Sequence, residues 1–338
     1  MNSLVDSFSR KITYLRVSIT DRCNYRCTYC KPERHFRFIS HKEILRYEEI
    51  LEIIEEAVKL GITKVRITGG EPLVRKGIIG FVKRLRKIKG LEDISLTTNG
   101  YYLSEYAEKL KDAGLDRVNI SLDSLQKTKY KQITGGKCLD KVLQGIESAL
   151  SVGLLPIKIN VVLMKGINDN EIEDFINLAF EKPLNIRFIE LMPSNNEITY
   201  NYKDRFISVL KIKDKLSKKY SFNSFSTILS NGPAKYYRIT GGKGTIGFIT
   251  ALSQHFCQSC NRIRLTSEGK IRPCLFSNQE IDLKKEIRRV SNEENSRIKK
   301  KEVIRDKIIA AVRLKPKMHK IGEEVTDYLS FNMSRIGG

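Results

Sequence analysis

Two hydrophobic rhythms alternate between Thr13 and Leu191. Short β-branched runs predict strands at Tyr14–Ile19, Lys64–Thr68, Ile94–Thr98, Arg117–Leu122, Ile157–Leu163 and Ile186–Glu190. Between them, apolar residues recur at helical spacing over Tyr47–Lys59, Ile78–Ile88, Glu105–Ala113, Asp140–Val152 and Glu171–Phe180. Strands that alternate with helices imply right-handed crossovers and a parallel sheet. Six units in about 180 residues fit an α/β fold with an incomplete (β/α)6 barrel better than a closed eight-unit one. In a parallel barrel the chemistry collects at the carboxyl ends of the strands. Here those ends read SITDRCNYRCTYC, RITGGEP, LTTNG, ISLDS, KINVV and RFIELMP, polar and glycine-rich as a site is.

After Pro193 the rhythm changes. An Asn-rich stretch leads to a basic helix around Phe206–Leu216, a β-rich segment YYRITGGKGTIGFIT, and a final helix near Val303–Arg313. The boundary is expected near residues 195–225, dividing a barrel (residues 1–195) from an α+β extension (residues 196–338). The 338 residues, 41% hydrophobic and 30% charged, suffice for two domains and exclude wholesale disorder. No apolar stretch approaches the roughly 18 residues of a membrane span. The opening MNSLVDSFSRK has no apolar signal core, so a cytoplasmic protein without a membrane partner is expected. Lys plus Arg is 61 against 39 for Asp plus Glu, a net +22 that favours polyanionic ligands. The basic residues are scattered, however, and no RNA-binding signature is visible, so solvated helix faces account for most of them.

Cysteine changes the picture. Six of the seven fall into two trios, Cys23, Cys27, Cys30 and Cys257, Cys260, Cys274, while Cys138 stands alone and gets no role. The first trio, with x3 and x2 gaps, lies directly after the first strand. Three thiolates hold three irons of a four-iron cluster and leave the fourth open. Structural zinc wants four closed ligands, and His35 could supply the fourth, so zinc stays open. The second trio reads either as zinc completed by His255 or as a second open four-iron cluster, whose free iron could bind a substrate nitrogen or oxygen.

Other residues point to an anion. Arg262 and Arg264 sit two apart on an extended segment between cluster ligands, so both guanidiniums project from one face. Arg16, Lys64, Arg66, Lys158 and Arg187 interrupt the barrel strands. Buried cations without partners are costly, so several pointing inward suggest a triphosphate site. Gly242-x-Gly244-x-x-Gly247 has dinucleotide-binding spacing but is followed by a strand pattern, so hairpin glycines explain it.

The first cysteine motif, with Tyr29 before its last Cys and Gly69-Gly70-Glu71-Pro72 one strand later, resembles the radical S-adenosylmethionine superfamily. Both trios, Arg-x-Arg after the second CxxC, RITGGEPL, LTTNG and the terminal Gly337-Gly338 together are similar to the GTP 3′,8-cyclase family of molybdenum-cofactor biosynthesis, from Arg16 to the end. That resemblance implies two [4Fe-4S] clusters and S-adenosylmethionine as cofactors. Cys23, Cys27 and Cys30 would hold the cofactor cluster, with Tyr29, Gly70, Ser121 and Met192 around S-adenosylmethionine. Cys257, Cys260 and Cys274 would hold an auxiliary cluster facing guanine. Arg16, Arg66, Thr97, Lys158, Arg262 and Arg264 would bind GTP, with Lys64 and Arg187 as second candidates. Arg262, Arg264, Gly337 and Gly338 would serve catalysis. Implied partners are GTP, a flavodoxin- or ferredoxin-like electron donor and cyclic pyranopterin monophosphate synthase. No nucleic acid is implied, and a homodimer is compatible with the resemblance. The rival readings are a radical enzyme that modifies a peptide or RNA, and a zinc-stabilised basic protein that binds nucleic acid.

Overall fold

The computed structural model describes residues 4–30, 38–193, 202–225, 232–290, 296–319, 321 and 333–337. Strands β1 (Tyr14–Ser18), β2 (Lys64–Thr68), β3 (Asp93–Thr98), β4 (Arg117–Ser121), β5 (Ile157–Leu163) and β6 (Leu184–Glu190) lie side by side in chain order, all parallel. All six were expected, with ends that differ by up to two residues. Helices Tyr47–Lys59, Ile78–Arg86, Leu103–Asp112, Leu139–Ser151 and Ile172–Glu181 match the helical rhythm. Helix Lys127–Thr134 was not foreseen. Its sequence KTKYKQIT buries only Tyr130, Ile133 and Thr134, too few apolar positions to mark a periodicity.

Alternation along each strand separates two faces. Leu15, Val65 and Ile94 are level across β1, β2 and β3 and belong to the main core cluster. Their neighbours Arg16, Arg66 and Ser95 share the next level, which a period of two turns to the opposite face.

The later chain enters the same sheet. β10 (Arg262–Leu265) pairs parallel with β1, and β9 (Thr245–Ile249) pairs parallel with β6. Antiparallel β11 (Lys270–Arg272) and β12 (Ile281–Asp282) follow outside β10. β8 (Lys235–Ile239) and β7 (Phe222–Phe225) follow outside β9, which completes a 12-stranded sheet. The segment after Pro193 therefore flanks the six β/α strands on both sides. Ion pairs from exposed arginines to buried carboxylates fix it outside as well: Arg305 Nε meets Glu56 Oε2 at 2.6 Å, and Arg288 Nε meets Glu49 Oε1 at 2.8 Å. Both carboxylates stand on helix Tyr47–Lys59, so helices Leu283–Val290 and Ser296–Arg313 dock against it.

The glycine-rich Gly242–Gly247 segment forms the β8–β9 hairpin, with no helix after it. A Cβ on Gly244 would run into the Leu184 carbonyl, so close backbone approach is what this glycine permits.

Candidate functional site

Parallel register stacks the cations into two rows. Arg264, Arg16 and Arg66 are level across β10, β1 and β2, and Arg262, Tyr14 and Lys64 form the next inward-facing row. Thr97, Lys158 and Arg187 complete the wall from β3, β5 and β6. All eight residues expected to hold triphosphate thus line one cavity of about 1380 Å³, counting the solvent at its mouth. Met192 and all three cysteines of the second trio line it too. Tyr29, Gly70 and Ser121 are not among its lining residues.

The cations disturb one another. Burial, then Arg187, Arg117 and Arg66, push Lys158 down to about 6. Burial and Arg262 bring Arg264 to about 9, while burial lowers Arg66 to about 10 despite Tyr14. Arg16 falls well below its usual range through burial and the adjacent Arg264. Arg117 has relief from a carboxylate: Asp93 Oδ2 lies 2.5 Å from its Nη2 and outweighs burial. Arg187 donates to Asn119 Oδ1 at 3.1 Å and to Asn160 Oδ1. Its Nε and Thr97 Oγ1 are buried with no hydrogen-bond partner among the described residues. Buried donors left open among crowded cations fit a polyanion that supplies many acceptors at once.

A proton linkage follows from Lys158. Above about pH 6 it is neutral in the free site, and a bound polyphosphate favours its charged form. Binding at pH 7 therefore takes up a proton, and affinity falls by up to about tenfold per unit as pH rises beyond that value. Calorimetry with an organic triphosphate in buffers of different ionisation heat should show uptake of about one proton. Buffer-independent heats contradict this.

The first trio occupies the loop after β1. Cys30 donates its backbone N–H to the Cys27 carbonyl at 3.0 Å, a turn that curls the ligands together. Burial, then Cys30, push the Cys27 thiol well up, with Asp123 and Cys23 adding to it. Crowded thiols that resist ionisation are what shared metal cations relieve. Gly69 and Gly70 serve this loop directly. Gly70 N–H donates to the Thr20 carbonyl at 2.7 Å, Glu71 N–H to the Arg22 carbonyl at 2.8 Å, and a Cβ on Gly70 would strike Arg22.

Asn99 and Asp123 around this loop carry no role in the sequence reading, and Glu71 enters it only as part of the Gly69-Gly70-Glu71-Pro72 motif. Asn99 Nδ2 donates to Asn24 Oδ1 at 2.8 Å and reaches Cys23 Sγ at 3.9 Å. Glu71, pushed up to about 7 by burial, accepts from Asn99 N–H at 2.7 Å and Thr98 Oγ1 at 2.8 Å. Tyr29 donates its hydroxyl to Asp123 Oδ2 at 2.6 Å, while Val162 N–H donates to Asp123 Oδ1 at 2.8 Å. The strand-end strings TTNG and LDS were flagged as polar, but partners so distant in sequence cannot be read from them. Ser121 ends β4, half-buried, and His35 lies outside the described residues.

Around the second trio, Cys260 N–H donates to the Cys257 carbonyl at 3.1 Å in a tight turn, Cys257–Ser259. Burial raises the Cys260 thiol, but Arg262 and Lys315 overcome it and bring it down to about 6. A thiol held so low is prepared to ligate as thiolate. One ring nitrogen each of His255 and His319 and Cys257 Sγ lie within 4.8 Å of one another, so imidazole donors also stand beside this trio. The donor set fits iron–sulfur ligation and has nitrogen ligands at hand as well.

The chain end closes the strand-end face. Ser18 Oγ donates to the Ser334 carbonyl at 3.2 Å, Ser267 N–H to the Arg335 carbonyl at 3.0 Å, and Arg264 to the Gly337 carbonyl. Gly337 has φ +76 and sits where a Cβ would clash with Thr68 Oγ1. Both facts require glycine there. Gly338 lies outside the described residues.

Comparison with known proteins agrees with this arrangement. Residues 17–179 match the Radical SAM superfamily, and residues 184–321 match Molybdenum Cofactor Synthesis C. A GTP 3′,8-cyclase of Petrotoga mobilis is 48% identical over 338 residues, covering 99% of this chain and 100% of its own. One from Heliobacterium modesticaldum is 46% identical over 337 residues, 99% of this chain and 100% of its own. In three dimensions, Streptococcus suis SuiB bound to S-adenosylmethionine shares the fold with a TM-score of 0.52 and 15% identity, over 79% of this chain and 62% of that one. Among the described residues no helix is long and apolar enough to cross a membrane. Identity at this level across nearly the whole of both chains makes the present chain a member of the GTP 3′,8-cyclase family within the radical S-adenosylmethionine superfamily.

Proposed function

We propose that the chain is a GTP 3′,8-cyclase, which joins ribose C3′ to guanine C8 and forms (8S)-3′,8-cyclo-7,8-dihydroguanosine 5′-triphosphate for the molybdenum cofactor. One observation carries the reading: eight cations from six parallel strands, with Lys315 beside them, share a single cavity with a cysteine trio. Few small molecules combine a polyanion with a heterocycle able to meet a metal, and a nucleoside triphosphate does.

Cys23, Cys27 and Cys30 would hold the cluster that, together with S-adenosylmethionine, would supply the radical chemistry for hydrogen abstraction at ribose C3′. The chain's own residues do the positioning. Arg16, Arg66, Lys158 and Arg187 grip the triphosphate from β1, β2, β5 and β6, with Lys64 and Thr97 at the same wall. Binding energy gained there, away from the reacting atoms, holds C3′ and C8 at closing distance. Arg262 and Arg264 act nearest the second trio, whose Cys257, Cys260 and Cys274 would hold an auxiliary cluster against the guanine. Met192 in the cavity, with Tyr29, Gly70 and Ser121, would border S-adenosylmethionine. The Gly337 carbonyl, held by Arg264, would close the site against water, and Gly338, outside the described residues, would serve catalysis with it. In this reading residues 1–195 carry the cofactor side and residues 196–338 the guanine side. The electron comes from a flavodoxin- or ferredoxin-like carrier, and the product passes to cyclic pyranopterin monophosphate synthase.

GTP deuterated at C3′ tests the proposal. Reduced protein with S-adenosylmethionine should move the label into 5′-deoxyadenosine. Turnover without label transfer removes C3′ as the site of hydrogen abstraction.

A further inference from the structure

The segment that follows helix Ser296–Arg313 carries no sequence motif, yet it closes part of the cavity wall. Lys315 is 3% exposed and lines the cavity beside the second cysteine trio. Its Nζ donates to Cys260 Sγ at 3.5 Å, to the Arg262 carbonyl at 2.8 Å and to the Pro273 carbonyl at 2.9 Å. An ammonium has three N–H donors, and this geometry uses all of them. Arg262 follows Cys260 by two residues and Pro273 directly precedes Cys274. One side chain therefore braces both arms of the trio.

Charge gives the second reason. Among the described residues Lys315 has a sulfur and two carbonyls around it and no carboxylate at ion-pair distance. A buried cation needs an anion, and two carbonyl dipoles only partly compensate it. The anion in reach is thiolate sulfur.

The backbone here is itself anchored. Arg10 donates to the Pro316 carbonyl at 2.6 Å, to the Lys317 carbonyl at 3.0 Å and to the Cys257 carbonyl at 2.7 Å. Its own charge is paired with Asp6 at 2.6 Å. The lysine is thus delivered to the trio by a segment tied to the trio.

We infer that Lys315 is a positioning residue for the group held by Cys257, Cys260 and Cys274, fixing the two ligand arms and balancing the charge of the electron-rich thiolates. The inference rests on the proposed auxiliary cluster at these cysteines. A positive charge in hydrogen-bond contact with a ligand sulfur favours the reduced, more negative state of such a cluster.

The test compares native holoenzyme with Lys315→Met, which keeps the stem and removes the charge, and with Lys315→Arg. Redox titration followed by electron paramagnetic resonance reads each cluster, and the cofactor cluster is recognised by its spectral response to added S-adenosylmethionine. In Lys315→Met the reduced-to-oxidised ratio of the auxiliary cluster at a fixed potential should fall about tenfold, about 59 mV for a one-electron couple. The other cluster should not move, and Lys315→Arg should recover most of the difference. Loss of about half of the iron with an unchanged unfolding transition supports the same role, since about four of eight irons belong to each cluster. Should Lys315→Met fail to fold, Lys315→Gln is read by the same criteria. Native potentials for both clusters in a folded, fully loaded Met or Gln variant overturn the assignment. Zinc in place of the second cluster in native protein refutes the cluster proposal itself, before any variant is made.

Discussion

Arg264→Ala is expected to lower formation of the cyclised product by at least about 10²-fold, the usual cost of losing one preorganised donor at a reacting centre. Arg264 is buried, level with Arg16 in the parallel register, and bonded to the Gly337 carbonyl. Its loss removes a phosphate or guanine contact and releases the chain end together. Iron content should stay native, because neither cysteine loop depends on this guanidinium for its backbone bonds. Uncoupled cleavage of S-adenosylmethionine should survive, since the first trio is untouched. Arg264→Lys should not rescue, because a point charge cannot reproduce a planar fork of donors. Thermal stability of the ligand-free variant should hold or rise: burial and Arg262 already disfavour the charge at Arg264. Product formation within threefold of native, measured by chromatography at saturating GTP, defeats this expectation.

The second large effect separates the trios. Cys27→Ala should abolish S-adenosylmethionine cleavage, a loss of about 10³-fold or more, because two thiolates cannot hold the cluster that delivers the electron. Cys274→Ala should also remove about half of the iron, yet retain reductive cleavage while cyclisation disappears. The distinction follows from position. Cys27 sits on the loop after β1, braced by Gly70 and Asn99, whereas Cys274 lines the cavity that gathers the cations. Deoxyadenosine and cyclised product, quantified in parallel with iron, check both variants. A Cys274→Ala protein that cyclises GTP at the native rate would mean the second trio holds nothing the substrate needs.

How far these residues were legible depends on how local their cause is. The six-strand rhythm could be read because a β-branched run and a helical period are properties of neighbouring residues. Arg262 and Arg264 could be placed on one face because a strand alternates every two residues. Helix Lys127–Thr134 was missed because its burial comes from packing rather than from a periodic apolar stripe. Asp123 and Asn99 lay in strings already marked as polar, but Tyr29 is 94 residues from Asp123 and Cys23 is 76 from Asn99. Lys315 had no local signal at all, since a lysine after a basic helix looks like any solvated one.

The order of residues along the chain determined the parallel β/α half, the two cysteine trios and the cations that break the strand runs. Each of these is a matter of side-chain chemistry and short-range spacing. The fold decided that β10 lies against β1 and β9 against β6, so that Arg264 comes level with Arg16 across 248 residues of chain. It also decided that Asp93 forms its ion pair with Arg117 while Lys158 has none among the described residues, and that Lys315 turns inward to sulfur. Strand pairing and burial are won by contacts whose partners are distant in sequence, and no window of neighbouring residues contains them.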